Sequence, residues 1–124
     1  MTASPHSSTG VRAREMNLYR RYFDLVAAGH KTIEVRVRYP NLHNLKAGDH
    51  IRFVCGRDVA LTRVKRVARY ASFEEMLDVE GAASVNPDSP REQQLADIRR
   101  IYGPEKEALG VLAIEIELLQ PPTA

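Results

Sequence analysis

Within the segment Gly29-His30-Lys31-Thr32-Ile33-Glu34-Val35-Arg36, three ionisable side chains of both signs fall inside six consecutive residues. Glu34 and Arg36 stand two apart, so on an extended chain they share one face. Lys31 stands at the entrance of that stretch. If the shared face borders a cleft, Glu34 holds the two cations in place while Lys31 and Arg36 offer donors to a phosphate or a pyrimidine carbonyl. A lysine partly removed from water beside an arginine has its pKa lowered and serves as a general base, with Glu34 orienting it. Lys31 would then activate water or the Thr32 hydroxyl as a nucleophile, with backbone donors of the Gly29 turn stabilising an oxyanion. The alternative is a solvated strand face whose loose ion pairs contribute about 0 to 1 kcal/mol each.

Other chemistry is sparse. His30, His43 and His50 lack the spacing of metal ligands, so no metal is expected, and no motif calls for a cofactor. Cys55 stands alone, in phase with Ile51 and Phe53, and reads as a core residue. Tyr39 and Tyr70, at strand ends near Arg36, Arg38 and Arg69, are candidates to stack on an unpaired base. Tyr19, Tyr22, Phe23, Phe53, Phe73 and Tyr102 fall at core phases and read as packing residues. Arg63, Lys65, Arg66 and Arg69 form a basic stretch suited to a phosphate backbone, or to the wet face of a strand.

The elements that must carry these residues follow from periodicity. Thr32 to Arg38 alternates strictly, with Ile33, Val35 and Val37 on one side, and predicts a strand. A short helix over Tyr19 to Ala28, stopped by Gly29, precedes it, and Val11 to Leu18 supplies a strand before that. Strands are expected over His50 to Cys55 and Val59 to Tyr70, the second with a bulge. Capping boxes at Ser72-Phe73-Glu74-Glu75 and Ser89-Pro90-Arg91-Glu92 start two helices, with Pro90 at the first helical position of the second. That second helix carries Leu95, Ile98, Ile101 and Tyr102 on one stripe and stops at Gly103-Pro104. Gly110 to Leu119 is a last strand, with Ala113, Glu115 and Glu117 on a wet face. The order is β-α-β-β-β-α-α-β, an α+β arrangement of about five strands curled into a small barrel with about three helices.

The Gly29, Lys31, Glu34 and Arg36 positions match the G-x-K-x-x-E-x-R signature of the ASCH domain family, a branch of the PUA-like superfamily. The text around them also resembles that family: Tyr22-Phe23-Asp24-Leu25, Gly48-Asp49, Phe73 to Leu77, Ile101-Tyr102 and the strand from Gly110 to Ile116. The resemblance covers about residues 14 to 119 and implies a small β-barrel whose cleft is lined by the signature residues and used with RNA or modified pyrimidines. Ligand contacts are accordingly expected from Gly29, Lys31, Glu34 and Arg36, with Arg38, Tyr39, Arg69 and Tyr70 alongside. Some small bacterial members resembling this chain remove acyl groups from the exocyclic amine of cytidine, using a lysine, a threonine three residues later and a distant glutamate. Other relatives are associated with cleavage of single-stranded RNA. Lys31 matches the lysine here, but the position three residues on is Glu34, and Thr32 follows Lys31 directly. Recognition of RNA or of a modified pyrimidine nucleoside is therefore the leading expectation, with hydrolysis of N4-acylcytidine or of single-stranded RNA as the alternative.

At 124 residues, 44% apolar and 27% charged, the chain has room for one domain and is neither collagen-like nor disordered in composition. Residues 1–10 and 120–124 read as tails around a domain at 11–119. No apolar run suits a membrane span and no secretory signal is recognisable, so a cytoplasmic location is expected. Residues 1–70 carry 14 Lys and Arg against 5 Asp and Glu, and residues 71–124 carry 4 against 11. The basic front half either attracts an anionic partner or pairs with the acidic second half.

Overall fold

The computed structural model describes residues 13–120, so the tail expected at 1–10, residues 121–124 of the tail expected at 120–124, and the start of the strand expected from Val11 lie outside the described residues, while Gln120 belongs to the last strand and not to a tail. Five strands and five helices follow in the order β1 (Ala13–Asn17), α1 (Arg20–Ala27), β2 (Ile33–Val37), β3 (His50–Cys55), β4 (Asp58–Tyr70), α2 (Phe73–Glu80), α3 (Ala82–Val85), α4 (Arg91–Ile101), α5 (Pro104–Glu107) and β5 (Val111–Gln120). A single 3-10 turn, Pro40–Leu42, interrupts the loop after β2. The two helices beyond expectation, α3 and α5, are four residues each, too short to leave a periodic signal.

The strands form one sheet in the order β1-β3-β4-β5-β2, with β1 parallel to β3 and all other neighbours antiparallel. The sheet curls like a half-barrel, but β1 and β2 do not pair with each other. The Arg36 side chain spans the gap, its Nη2 donating to the Asn17 carbonyl at 2.9 Å. The expected barrel is therefore left open at this seam. The long β4 changes register against β5 at Leu61/Thr62 and at Val64/Arg66, the irregularity expected there, and such shifts bend a strand and help the sheet curl.

Alternation along β5 divides the core. Leu112, Ile114 and Ile116 join Phe23, Val26, Ile51 and Phe53 on the face that α1 covers. Val111 and Ala113 point the other way and join Phe73, Met76, Leu77 and Val85 beneath the helices. The face expected to be wet is thus covered for half its length, because α2 lies across it. Glu115 and Glu117, farther along the strand, reach solvent and pair with Arg63, Lys65 and Arg66.

The helix ends match the sequence in part. Ser72 Oγ caps α2 by accepting from Glu75 N–H at 3.1 Å. Gly29, at φ 77°, ends α1 in the left-handed region as expected. Ser89 makes no such cap: α4 begins at Arg91, Pro90 is its N-cap, and the Ser89 carbonyl instead accepts from Gln94.

Candidate functional site

Strand β2 lies at the edge of the sheet, and its register against β5 decides where its side chains go. Glu34 stands opposite Ile114 and Arg36 opposite Leu112, so both carry their charge onto an apolar face of the half-barrel. Ionised groups placed there require partners. Glu34, 4% exposed, receives Arg36 Nε on Oε2 at 2.6 Å and faces Lys31 Nζ with Oε1 at 3.5 Å.

Lys31 is equally buried. Its ammonium donates to the carbonyls of Ile33 at 2.7 Å and Val85 at 2.9 Å and stands at ion-pair distance from Glu34. It arrives there because the chain leaves α1 through Gly29: the N–H groups of Gly29, His30 and Lys31 fold back onto the Val26 and Leu25 carbonyls. Burial pushes the Lys31 ammonium below its ordinary pKa and Arg36 adds to this, while Glu34 opposes both. Burial also acts to lower Arg36, but there the adjacent Glu34 carboxylate outweighs it and the guanidinium is held above its ordinary value.

This array borders a cavity of about 350 Å³ at the open seam of the sheet. It is lined by Asn17, Leu18, Tyr19 and Tyr22, from the end of β1 and the start of α1, and by Gln94, Ile98, Ile101 and Tyr102 of α4 and its C-cap. Val85 and Asn86 complete it beside Lys31. Tyr19 is 67% exposed, and its ring lies 6.4 Å from that of Tyr22. Tyr102 stacks on Phe73 at 5.8 Å, and burial raises its hydroxyl pKa. Gln94 is fixed by its Nε2, which lies 2.8 Å from the carbonyls of Ala82, Asn86 and Ser89. Its Oε1 has no partner among the described residues.

Of the residues singled out from the sequence, Lys31, Glu34 and Arg36 border the cavity. Thr32 does not: it is exposed, and its N–H donates to the Ser84 carbonyl. Gly29 also lies outside, and its turn has no spare donors because the three successive N–H groups are already spent on α1 carbonyls. Arg38, Tyr39, Arg69 and Tyr70 are absent from the lining as well. Arg38 N–H donates to Gly110 at the start of β5, Tyr39 lies under the Lys106 ammonium, and Tyr70 donates its hydroxyl to Glu80 at 2.5 Å. Arg69 is exposed on β4. Among the described residues, no cluster of His, Cys, Asp and Glu is arranged to hold a metal.

Of the six aromatic residues expected to pack, the three phenylalanines do so and the three tyrosines depart from that expectation. Phe23, Phe53 and Phe73 are core, whereas Tyr19, Tyr22 and Tyr102 wall the cavity. For the half-buried Tyr22 and Tyr102 the hydroxyls were the available signal, since a tyrosine taken out of water needs a polar partner that phenylalanine does not. Gln94 had a signal too: it stands four residues before Ile98 on the apolar stripe of α4, where a polar residue interrupts the pattern.

The basic stretch on β4 is largely matched within the molecule. Arg63 pairs with Glu117, Lys65 with Glu115, and Arg66 with both Glu80 and Glu115. No helix among the described residues is long and apolar enough to cross a membrane.

The ASCH domain model matches residues 16–120. The crystal structure of the hypothetical protein PH0355 is similar with a TM-score of 0.80 and 37% identity, over 87% of this chain and 100% of that one. The solution structure of PF0455 from Pyrococcus furiosus gives 0.73 and 38%, over 88% of this chain and 99% of that one. The crystal structure of ASCH from Zymomonas mobilis shares the fold at 0.62 and 16% identity, over 86% of this chain and 68% of that one. No curated protein matches the sequence.

Proposed function

This chain belongs to the ASCH domain family, and we propose that its seam cavity recognises a pyrimidine nucleotide presented by single-stranded RNA. The observation that carries the reading is the buried Lys31–Glu34–Arg36 array beside a tyrosine-walled cavity of about 350 Å³. Clefts of that order take one small ligand and enclose most of its surface. Tyr19 and Tyr22 at the rim supply faces on which an unpaired base stacks, and the Arg36 guanidinium supplies a fixed cation at the wall. A duplex cannot enter such a space, but a splayed base of a single strand can.

The geometry favours recognition over hydrolysis. The Lys31 ammonium is committed to two carbonyls and the Glu34 carboxylate, and the Thr32 hydroxyl sits outside the cavity, so neither a free base nor a nucleophile from this pair faces a ligand. The reading is tested by titrating a labelled single-stranded oligopyrimidine RNA and, separately, incubating the protein with N4-acetylcytidine. Binding that weakens with salt, and no release of acetate, is the expected result. Deacetylation abolished by Glu34→Gln would assign the site to hydrolysis, and absence of binding at low salt would overturn the reading.

A further inference from the structure

An edge strand leaves every second residue with its N–H and C=O unpaired, and the ladder shows which residues of β2 these are. Ile116 N–H donates to the Thr32 carbonyl and Arg38 N–H to the Gly110 carbonyl, each at 2.9 Å, so the even-numbered residues direct their groups at β5. Ile33, Val35 and Val37 direct theirs at the open seam. Two of the three carbonyls are taken: Ile33 accepts from Lys31 Nζ, and Val37 accepts from Tyr39 N–H at 2.8 Å. Val35 lies between them and borders the cavity, and neither its N–H nor its C=O has a partner among the described residues.

A donor and an acceptor of the same residue, side by side on the cavity wall, form a fixed pair that rotates with no side chain. Such groups are costly to bury unpaired, so an occupant of the cavity must satisfy them. Because Ile33 and Val37 have their carbonyls occupied, the opening is one rung long. That is too short for a peptide strand, which needs successive rungs, and suits the edge of a planar heterocycle.

We infer that the Val35 main chain reads the hydrogen-bonding edge of the ligand, and that the ligand is a base carrying a donor next to an acceptor, as cytosine does at N4 and N3 or uracil at N3 and O4. The inference rests on the reading of the cavity as a base pocket and adds the group that selects among occupants. It also makes Val35 a specificity element through its backbone alone.

The test is a titration of the full-length ¹⁵N-labelled chain with cytidine, uridine, N4,N4-dimethylcytidine and N3-methyluridine, followed by amide spectra and hydrogen exchange. With a saturating parent nucleoside, the Val35 amide resonance should shift downfield and its exchange should slow tenfold or more. The methylated analogues, which lack the donor, should bind about tenfold or more weakly. Val35→Pro removes the N–H from the edge that faces away from the ladder, where proline is tolerated, and should abolish binding in a folded protein. If that variant fails to fold, the titration of the native chain decides. Saturation by a nucleoside with the Val35 amide unmoved, or equal affinity for parent and methylated forms, overturns this inference and leaves the base pocket standing. Failure of all four nucleosides and of short single-stranded RNA to bind overturns the base pocket and this inference with it. A short extended peptide that moves the Val35 amide where nucleosides do not would overturn both in favour of strand addition.

Discussion

The Lys31 ammonium lies 2.9 Å from the Val85 carbonyl, joining the entrance of β2 to the end of α3 across 54 positions of sequence. One side chain thereby ties together two segments that line the seam cavity, Val85 and Asn86 at the end of α3 and Glu34 on β2.

Removing that side chain should cost much of the fold's stability. Lys31→Met leaves the Glu34 carboxylate with Arg36 alone and strips the Ile33 and Val85 carbonyls of their donor, at 4% exposure. Breaking a buried pair in this way costs about 3 to 5 kcal/mol. Urea denaturation followed by circular dichroism should show the midpoint falling accordingly, and a loss below about 1 kcal/mol would contradict the buried array.

Gln94 should matter through its amide nitrogen. Gln94→Leu keeps the bulk on α4 but leaves the Ala82, Asn86 and Ser89 carbonyls without their donor. We expect a loss of about 1 to 3 kcal/mol, with the hydrogen-exchange protection of residues 82–90 falling most. Unchanged protection there would show that the loop is held by other contacts.

Stability should fall in acid for a reason that can be assigned. Arg66 holds the Glu80 carboxyl below its ordinary value of 4.5, and Arg99 does the same for Glu107. A carboxyl with a lowered folded pKa contributes stability that is fully present above the unfolded value and is lost as pH falls through the folded one. The chain should therefore be uniformly stable from neutrality to about pH 5 and weaken below about pH 4.5. Glu80→Gln should flatten part of that slope, and because Arg66 is half exposed it should cost only about 1 to 2 kcal/mol at pH 7.

Binding of single-stranded RNA should separate residues around the cavity from those elsewhere. Arg36→Ala should weaken binding about tenfold or more, and Tyr22→Ala should cost about 1 to 3 kcal/mol, the scale of one stacked base. Arg69→Ala should change the affinity at most twofold, since Arg69 lies outside the cavity. Fluorescence anisotropy at several salt concentrations, with folding checked by circular dichroism, measures all three. Equal losses at Arg36 and Arg69 would point to a diffuse electrostatic surface in place of the seam.

Local spacing made part of this architecture legible. The Lys31, Glu34 and Arg36 side chains could be placed together because six residues of chain leave little freedom and a period of two puts Glu34 and Arg36 on one face, and the helices and strands flanking them announced themselves by apolar phase and by Ser72 and Gly29. The stacking candidates Tyr39 and Tyr70 were read from proximity in sequence to arginines. In the fold, Tyr70 is engaged by Glu80 and Tyr39 by Lys106, and neither lines the cavity.

Sequence alone therefore determined the order of the five strands and the three longer helices, the family resemblance and the charged strand, all of which depend on residues a few positions apart. Tertiary structure alone decided that Glu34 is buried, that Tyr19, Tyr22, Tyr102 and Gln94 meet at one cavity, and that Val35 offers an unpaired rung there. These depend on β2 pairing with β5 and on α4 crossing the open seam, contacts between segments far apart in the chain. Periodicity fixes which side of an element is apolar. Which other element covers that side is fixed by packing, and packing put the halves of opposite charge together through Arg21 and Asp97, Arg63 and Glu117, and Arg66 and Glu80.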